Sequence, residues 1–514
     1  MAVSTDFQYR RRTAFPEADI ALITEGTYPA HHGGVSVWCD QLIRGLPERS
    51  FRVYAIAGVG REPSIWAAPK NLINVTQIPT WGSSPAAGTW RGRRETSAFA
   101  ATHEGLLDAL FSNDTDGFSA ALQSLHAYSE TANLGAALVS ESALRRLHVR
   151  WLESPLFGGR FADPSTRPSL GDALASAELL EHFLRPLAAT PAPAAVYHSS
   201  SNGLASLVAM AGKWSHGAPF VLTEHGVYLR ERYLSFGRKA YTHPVRTLVL
   251  AFFRLLSAAS YQHADLIAPV SHFNRRWQEQ NGANPHAIEA VHNGLDPAAF
   301  PHVGPEPKVP TISWVGRVDP LKDVETLIRS FALVRGELPE ARLRMFGSTP
   351  PGCEAYRDRC KALIEELGLS KVAVFEGHVS AVSEAYRAGS IIALSSVSEG
   401  FPYTVIEGMM SGRASVSTDV GGVAEAVGRS GMVVPPKDPR AFADACLTLF
   451  RDDVLRARMA KSARRRALRL FTLNRFLGNY RSIYDRVASP GEPATIHHIE
   501  TTPVKLHLPL VQTA

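Results

Sequence analysis

One pattern occurs in both halves of the chain: a short apolar run, a polar turn with glycine, and the start of an apolar-periodic helix. In the C-terminal half the run Ile391–Leu394 precedes the turn Ser395–Pro402 and a helix that starts near Thr404. In the N-terminal half Ile20–Thr24 precedes a glycine turn and the helix Val37–Arg44. Short apolar runs of this kind predict buried parallel strands, because helices cover both faces of such a sheet. The pattern therefore predicts an α/β chain built from βαβ units.

The length of 514 residues exceeds what one hydrophobic core supports, so we expect two large domains. Hydrophobic residues at 45% and charged residues at 20% are typical of a globular protein. The net charge of +6 favours anionic ligands or an anionic membrane surface. This charge alone does not indicate nucleic-acid binding, and we expect no nucleic-acid partner. The four cysteines lack zinc-type spacing, which favours the reducing cytoplasm. Residues 1–19 have a basic cluster without an apolar stretch, so we expect no signal peptide.

The turn in the C-terminal half predicts a site for a phosphorylated sugar. Thr404 and Val405 lie in the first turn of a helix, whose backbone N–H groups and dipole favour a phosphate. Gly400 lets the backbone approach a ligand closely. Glu399 and Glu407 bracket the turn, and carboxylates accept hydrogen bonds from sugar hydroxyls. The alternative is an ordinary strand–helix unit with a surface glutamate and a helix glutamate.

Two further loops have the composition of a diphosphate site. Arg317 and Lys322 follow an apolar run, and two cations on one strand-to-helix loop suit a diphosphate, although a solvated pair stays the alternative. Gly33 and Gly34 follow the first strand of the N-terminal half. We expect this pair to adopt a backbone shape closed to other residues and to leave room for a diphosphate or a sugar, the alternative being a simple turn.

Polar residues end two strands of the N-terminal half. His198 closes the run Ala194–His198, and Glu224 and His225 close the run that starts at Pro219. Ligands of doubly wound sheets bind outside the carboxyl ends of the strands, so we expect these side chains to point at a cleft. A histidine at such a place is also compatible with a purely structural role.

Four segments resemble motifs of retaining glycosyltransferase family 4, and in particular of its PelF branch, which acts in bacterial exopolysaccharide synthesis: EGTYPAHHGGVSVW, TEHGVYLRER, VGRVDPLKDVETLI and EGFPYTVIEGMMSGR. The resemblance implies the GT-B fold, in which two Rossmann-like, doubly wound domains face a cleft. We expect an N-terminal domain over 1–302 with a helical insertion at about 85–190, where strand signals vanish, and a C-terminal domain over 303–470. A helix over 471–487 would cross back to the N-terminal domain, and 488–514 would form a tail.

The resemblance also implies roles for individual residues. The catalytic residues would be Glu399, His198 and His225. The donor diphosphate would lie against Arg317, Lys322, Gly33, Gly34, Thr404 and Val405. The donor sugar would contact Glu399, Gly400 and Phe401, the ribose Glu407, and the base the loop Gly377, His378 and Val379. The sequence shows no DxD pair after a strand, so we expect neither a metal ion nor a cofactor.

The implied reaction is the retaining transfer of a hexosyl unit from UDP-glucose to a growing bacterial exopolysaccharide. Two other classes stay open: a UDP-sugar 2-epimerase-like isomerase on the same fold, and a non-catalytic nucleotide-sugar-binding subunit of a polysaccharide synthase complex. We expect a cytoplasmic protein whose partners are a UDP-sugar, a polysaccharide acceptor and membrane-bound synthase subunits. The basic stretch Arg456–Arg469 is either a solvated helix face or, as the weaker alternative, a contact with the inner membrane.

Overall fold

The computed structural model describes residues 16–60, 62–82, 97–154, 167–236 and 241–489. The first sheet is formed by β1 (Ala18–Glu25), β2 (Phe51–Ala57), β3 (Leu72–Pro79), β4 (Ala194–Ser199), β5 (Phe220–Glu224) and β6 (Leu266–Pro269). The second sheet is formed by β7 (Thr311–Val315), β8 (Arg342–Phe346), β9 (Ala373–Gly377), β10 (Ile391–Leu394), β11 (Ala414–Thr418) and β12 (Met432–Val434). The N-terminal basic cluster up to residue 15 and the predicted tail beyond Ser489 lie outside the described residues.

Both sheets have the strand order of a doubly wound fold. The orders are β3-β2-β1-β4-β5-β6 and β9-β8-β7-β10-β11-β12, with parallel pairing throughout the described strands. The order reverses between β1 and β4 in the first sheet and between β7 and β10 in the second. Ligands of open parallel sheets bind outside the carboxyl ends of the strands at such a reversal. The prediction of two Rossmann-like domains is confirmed, and the two reversals mark the edges where a ligand site is expected.

Ten helices of the described N-terminal part surround the first sheet: α1 (Gly34–Gly45), α2 (Ser97–Ser112), α3 (Thr115–Ser129), α4 (Leu134–Leu138), α5 (Glu141–Glu153), α6 (Leu170–Leu184), α7 (Leu204–His216), α8 (Tyr228–Phe236), α9 (His243–His263) and α10 (His272–Gln280). Helices α2–α6 occupy the segment where the helical insertion is predicted. Side chains at the starts of α3 to α6 accept hydrogen bonds from the first helical turns: Asp114, Asn133, Ser140 and Ser169. Phe118 and Phe183 of this insertion contact Phe252 of α9, so the insertion shares the domain core.

The C-terminal part contains α11 (Val324–Glu337), α12 (Glu354–Glu366), α13 (Val382–Arg387), α14 (Tyr403–Met410), α15 (Val423–Val427), α16 (Pro439–Arg451), α17 (Asp453–Leu470) and α18 (Leu473–Ala488). None of the helices in the described ranges combines the length and the apolar character that crossing a bilayer requires.

Helix α18 packs on the N-terminal sheet although it follows the C-terminal domain. Its residues Phe476, Tyr480 and Tyr484 are buried in the core on the α1 side of that sheet. The chain thus passes between the domains twice, and the two crossings are hydrogen-bonded to each other: Leu295 N–H donates to the Phe471 carbonyl at 2.9 Å, and Leu473 N–H donates to the Leu295 carbonyl at 2.7 Å. The two domains are therefore joined by a paired connection.

Sequence reasoning missed β3. This strand lies at the edge of the sheet, and of its residues only Ile78 is buried. An edge strand with one buried residue does not produce the continuous apolar run that identifies central parallel strands. Its position against β2 therefore depends on tertiary context, in agreement with the general behaviour of strand propensity.

Candidate active site

The two loops at the reversal of the C-terminal sheet contact each other through an ion pair. Lys322 Nζ donates to Glu399 Oε1 at 2.6 Å, and the Ser396 hydroxyl donates to the same oxygen at 2.6 Å. The side chains of Lys322 and Glu399 are only 17% and 12% exposed. Val397 N–H donates to the Leu321 carbonyl at 2.8 Å, which holds the loops together along the backbone as well. The structure thus brings together a cation and a carboxylate that the sequence places 77 residues apart.

Asp319 shapes the loop that carries both predicted diphosphate ligands. Its carboxylate accepts hydrogen bonds from the backbone N–H groups of Leu321 at 2.9 Å and Lys322 at 3.3 Å. Arg317 lies 3.3 Å from the same carboxylate, and its side chain is 60% exposed. Because an exposed ion pair is weakly held, the Arg317 guanidinium is free to turn toward an anion. The loop therefore presents one enclosed cation, Lys322, and one exposed cation, Arg317.

Helix α14 begins at the same edge of the sheet. Pro402 precedes it, and Ile406 N–H donates to the Pro402 carbonyl, so the N–H groups of Thr404 and Val405 lie before the first intrahelical bond. These groups and the helix dipole form an anion-favouring end. The predicted position of Thr404 and Val405 in a first helical turn agrees with the described start of α14.

Glu407 lies one turn further along α14 and is half-buried. The Tyr386 hydroxyl donates to its Oε2 at 2.5 Å. Burial raises the pKa of Glu407 above its ordinary value, and the hydrogen bond from Tyr386 opposes this rise. Tyr386 itself is 0% exposed, so its hydroxyl is held in one position and fixes Oε2 of Glu407. The direction of the second carboxylate oxygen, Oε1, is thereby fixed as well. Such a carboxylate is suited to a pair of neighbouring hydroxyls.

At Gly400 the backbones of the two domains approach each other closely. A Cβ at Gly400 would lie 1.6 Å from the carbonyl oxygen of His225, which follows β5. On its other side, Gly421 has a φ of +56°, and a Cβ there would lie 1.7 Å from the carbonyl oxygen of Glu399. Any side chain at either position would separate the loops. The carboxyl ends of strands from both sheets therefore face each other across the Gly400 loop.

His225 lies at this junction as predicted. Its ring contacts Trp38 edge-on, with ring centroids 5.0 Å apart, and burial lowers the pKa of His225 to about 3. The imidazole is therefore neutral at physiological pH. Its Nε2 is buried and has no hydrogen-bond partner among the described residues. A buried ring nitrogen without a partner is costly, and a ligand hydroxyl would satisfy it.

The structure does not support a catalytic part for His198. Its Nδ1 is 2.7 Å from the Tyr484 hydroxyl and its Nε2 is 2.8 Å from the Thr223 hydroxyl, and the residue is 0% exposed. Burial and, to a lesser extent, the nearby His225 lower the pKa of His198 to about 3. Both nitrogens are thus used inside the core, where His198 connects β4 to α18. Its role is structural.

Glu224 also turns away from the cleft, contrary to the expectation. The Tyr261 hydroxyl donates to its Oε2 at 2.9 Å, and Gln278 Nε2 donates to the same oxygen at 2.7 Å. Burial raises the pKa of Glu224 to about 7, which these hydrogen bonds partly oppose. Glu224 therefore joins β5 to α9 and α10 inside the N-terminal domain.

Three other predicted contacts differ in detail. The Phe401 side chain is 5% exposed and stacks on His292, with ring centroids 4.9 Å apart, so it belongs to the interdomain core rather than facing a sugar. Gly33 has an extended backbone with φ of 170°, which any residue adopts, and a Cβ there would meet nothing within 4 Å. A Cβ at Gly34 would make ordinary contact with the Tyr403 ring at 3.6 Å. The expected special backbone of Gly33 and Gly34 is thus wrong, while open space beside Gly33 is present.

The predicted base loop follows β9 at the edge of the second sheet. Gly377 has a φ of +77°, which favours glycine, and its carbonyl accepts a hydrogen bond from Gly347 N–H at 2.8 Å. His378 is exposed and Val379 is half-buried. The loop lies beside the carboxyl end of β8, which neighbours β7 and the Arg317 loop.

Sequence reasoning missed residues that only the fold brings together. Tyr403 is half-buried beside Gly34 at the start of α1, and its hydroxyl is buried and has no partner among the described residues. His272, His292 and Glu425 form a group whose ligand atoms all lie within 4.8 Å of one another and which is able to hold a metal ion. The expectation of no metal-ligand cluster rested on local spacing, and no local spacing reveals residues from three separate segments.

Two facing doubly wound domains with this junction define a GT-B protein. Two solved structures share the architecture. Anabaena HepE in complex with UDP is 15% identical, with a TM-score of 0.58, and the match covers 91% of this chain and 100% of that chain. Sucrose-phosphate synthase from Thermosynechococcus elongatus is 18% identical, with a TM-score of 0.59, and the match covers 91% of this chain and 98% of that chain. At these identities the likeness concerns the fold.

The family assignment rests on matches to family models. Residues 18–286, more than half of the chain, match the family described as a domain of unknown function (DUF3492), and residues 309–452 match the family glycosyl transferases group 1. The chain therefore belongs to the DUF3492 family, and its C-terminal domain is a glycosyl transferases group 1 domain.

Curated relatives match part of the chain. D-inositol 3-phosphate glycosyltransferase of Corynebacterium glutamicum is 33% identical over 193 residues, 36% of this chain and 46% of that protein. The enzyme of the same description from Nocardioides is 31% identical over 214 residues, 37% of this chain and 46% of that protein. The chain thus spans less than half the length of these relatives.

Proposed function

We propose that the protein is a retaining glycosyltransferase that transfers a hexosyl unit, glucose from UDP-glucose, to a growing bacterial exopolysaccharide. The observation that supports it most is the enclosed Lys322–Glu399 pair, 2.6 Å long, beside the start of α14 and opposite His225. This part of the cleft combines three groups: the Lys322 cation for a diphosphate, the Glu399 carboxylate for sugar hydroxyls, and the neutral His225 imidazole on the opposite side.

The diphosphate would bind between the loop of Arg317 and Lys322 and the start of α14. In the reaction the bond between C1 of the sugar and the diphosphate oxygen breaks, and the electron pair leaves with the diphosphate. C1 forms a bond to the oxygen of an acceptor hydroxyl, whose proton passes to the leaving diphosphate. Negative charge therefore grows on the leaving diphosphate. Lys322, Arg317 and the N–H groups of Thr404 and Val405 would stabilise it by charge-assisted hydrogen bonds in an enclosed site.

Glu399 and Glu407 would fix the two sugars of the donor. Glu399 accepts hydrogen bonds from Lys322 and Ser396 through Oε1, which sets the carboxylate plane before ligand arrives. It would then accept from hydroxyls of the transferred hexose. Glu407, oriented by Tyr386, would accept from the ribose diol. Such orientation before binding reduces the entropy that positioning costs in the reaction.

His225 would contact the transferred sugar from the N-terminal domain. Its unpartnered Nε2 and its neutral state suit a hydrogen bond with a sugar hydroxyl rather than a charge interaction. The Gly377–Val379 loop would lie against the base. UDP as nucleotide is supported by the fold neighbour HepE, which was solved with UDP and with UDP-glucose. The proposal of an exopolysaccharide acceptor rests on the PelF resemblance. The proposed localisation is the cytoplasm.

Binding and turnover together test the proposal. Calorimetric titration with UDP, UDP-glucose, UDP-GlcNAc, GDP-mannose and ADP-glucose should show binding of UDP and one UDP-sugar. Lys322→Ala should weaken UDP binding about 10- to 100-fold, the size of one or two lost hydrogen bonds to a charged group. Lys371→Ala, at an exposed lysine of the same domain, is the matched control and should bind as the wild type does.

The products distinguish the alternatives. Incubation with UDP-glucose and acceptor oligosaccharides should give a retained glycosidic bond, measured by NMR of the anomeric proton. A 2-epimer formed without acceptor would identify the isomerase, and binding without any product would identify the non-catalytic subunit. Binding of none of the nucleotides, or binding indifferent to Lys322→Ala, would refute the proposed donor site.

A further inference from the structure

A cluster of two imidazoles and a carboxylate lies where the domains meet, apart from the donor residues. His272 is the first residue of α10, His292 lies in the segment after α10, and Glu425 belongs to α15 of the other domain. Their ligand atoms all lie within 4.8 Å of one another, with His292 Nε2 2.5 Å from Glu425 Oε1. The rings of His272 and His292 are 5.9 Å apart between centroids and inclined by 73°.

We propose that His272, His292 and Glu425 bind a divalent transition-metal ion such as Zn²⁺, which links the two domains. Two histidine nitrogens with one carboxylate oxygen are a donor set of open zinc sites. With metal–ligand bonds of about 2.0 Å, tetrahedral ligand atoms are about 3.3 Å apart. One separation in the cluster is 2.5 Å and none exceeds 4.8 Å, so small side-chain rotations are sufficient to admit the ion.

The surroundings hold two of the ligands in place. The His292 ring stacks on Phe401 at 4.9 Å and meets Phe471 edge-on at 5.5 Å between centroids. Glu425 Oε2 accepts a hydrogen bond from the backbone N–H of His272 at 2.8 Å, which orients the carboxylate. Outer contacts of this kind fix the orientation of metal ligands. The His272 ring is exposed and makes no hydrogen bond to the described residues, so it is available as the third ligand and leaves a coordination position open to solvent.

The same contacts also describe a simpler arrangement without metal. His292 Nε2 is hydrogen-bonded to Glu425 Oε1, and Glu425 caps the start of α10. The metal-free arrangement uses His292 and the backbone of His272 but assigns nothing to the His272 ring. A substitution of the His272 side chain therefore distinguishes the metal-bound arrangement from the metal-free one.

Metal binding to the full-length chain tests the proposal. After removal of metal with EDTA, the protein is titrated with Zn²⁺ in competition with a chromophoric chelator, and with Co²⁺ while the visible absorption is recorded. We expect one ion per chain and Co²⁺ bands of a site with nitrogen and oxygen ligands. His272→Ala should weaken Zn²⁺ binding at least tenfold, and His286→Ala, at another exposed histidine of the same domain, should leave it unchanged.

Two results would overturn the proposal. One is the absence of stoichiometric Zn²⁺ binding to the wild type, and the other is equal binding by wild type and His272→Ala. Either result would leave His292 and Glu425 as a hydrogen-bonded pair without a metal ion. Because the His272 ring is exposed, we expect His272→Ala to leave the core undisturbed. Thermal unfolding of His272→Ala and His286→Ala would check that both variants are as stable as the wild type. The readout is metal binding, so it is independent of whether the protein transfers a sugar.

Discussion

Replacement of Gly400 by alanine tests whether the closed junction is the working form. A Cβ at this position would lie 1.6 Å from the His225 carbonyl oxygen, whereas real Cβ contacts are essentially never under 3.0 Å. The difference, 3.0 minus 1.6, requires the two loops to separate by about 1.4 Å. That displacement moves His225 away from Glu399 but leaves the contacts within the C-terminal domain intact.

A misplacement of about 1 Å between reacting groups costs about 100-fold in rate. We therefore expect Gly400→Ala to lower kcat/KM for sugar transfer about 100-fold. UDP affinity should stay within a factor of about three, because the proposed nucleotide contacts belong to one domain. Transfer assays and calorimetric titration with UDP measure the two quantities separately.

Gly336→Ala is the matched control, since a Cβ there meets nothing within 4 Å. Alanine also favours a helix over glycine, so this variant should keep full activity and should not lose stability. A Gly400→Ala protein that is folded and transfers sugar at nearly the wild-type rate would refute the reasoning that the close approach of Gly400 and His225 aligns the site. Equal loss of UDP binding would refute the division of contacts between the domains.

Three further predictions follow from individual side chains. His198→Ala should lower the free energy of unfolding by about 3 kcal/mol in urea denaturation, because the buried hydroxyls of Tyr484 and Thr223 lose their partner, while the KM for donor stays unchanged. Glu224 has a pKa raised from 4.5 to about 7, so the folded state binds the Glu224 proton more tightly than the unfolded state does, and the wild-type Tm should fall as the pH rises from 4.5 to 7. Glu224→Gln should remove this part of the fall in Tm. Identical slopes of Tm against pH for the wild type and the variant would contradict the prediction. Glu407→Gln should weaken UDP binding about tenfold but leave binding of 2′,3′-dideoxy-UDP, which lacks the diol, nearly unchanged, and an equal loss for both ligands would exclude the ribose contact.

The sequence was informative wherever a strand is buried on both faces. Ile391–Leu394 has the same bounds in the structure as in the prediction, because continuous burial leaves an unbroken apolar run. The edge strand β3 lacks such a run and was missed. Local composition thus identifies central strands, whereas edge strands depend on their neighbours.

The candidate site could be predicted only as far as its parts are local. The loops of Arg317, Lys322 and Glu399 follow strands and were located from the chain alone, but the direct Lys322–Glu399 contact comes from the sheet order. His198 shows the opposite case. Its place at a strand end indicated a ligand contact, yet Tyr484, 286 residues later, occupies one of its nitrogens because α18 returns to this domain. No local pattern contains that information.

The paired crossing at Leu295 has a mechanical consequence. Its two hydrogen bonds, to Phe471 and from Leu473, make the connection resemble a short piece of sheet. Sliding of one domain along the other would break both bonds, whereas rotation about the crossing keeps them. Helix α18 therefore travels with the N-terminal domain while α17 travels with the other. Spin labels on the exposed faces of these two consecutive helices would convert the opening angle of the molecule into a measurable distance.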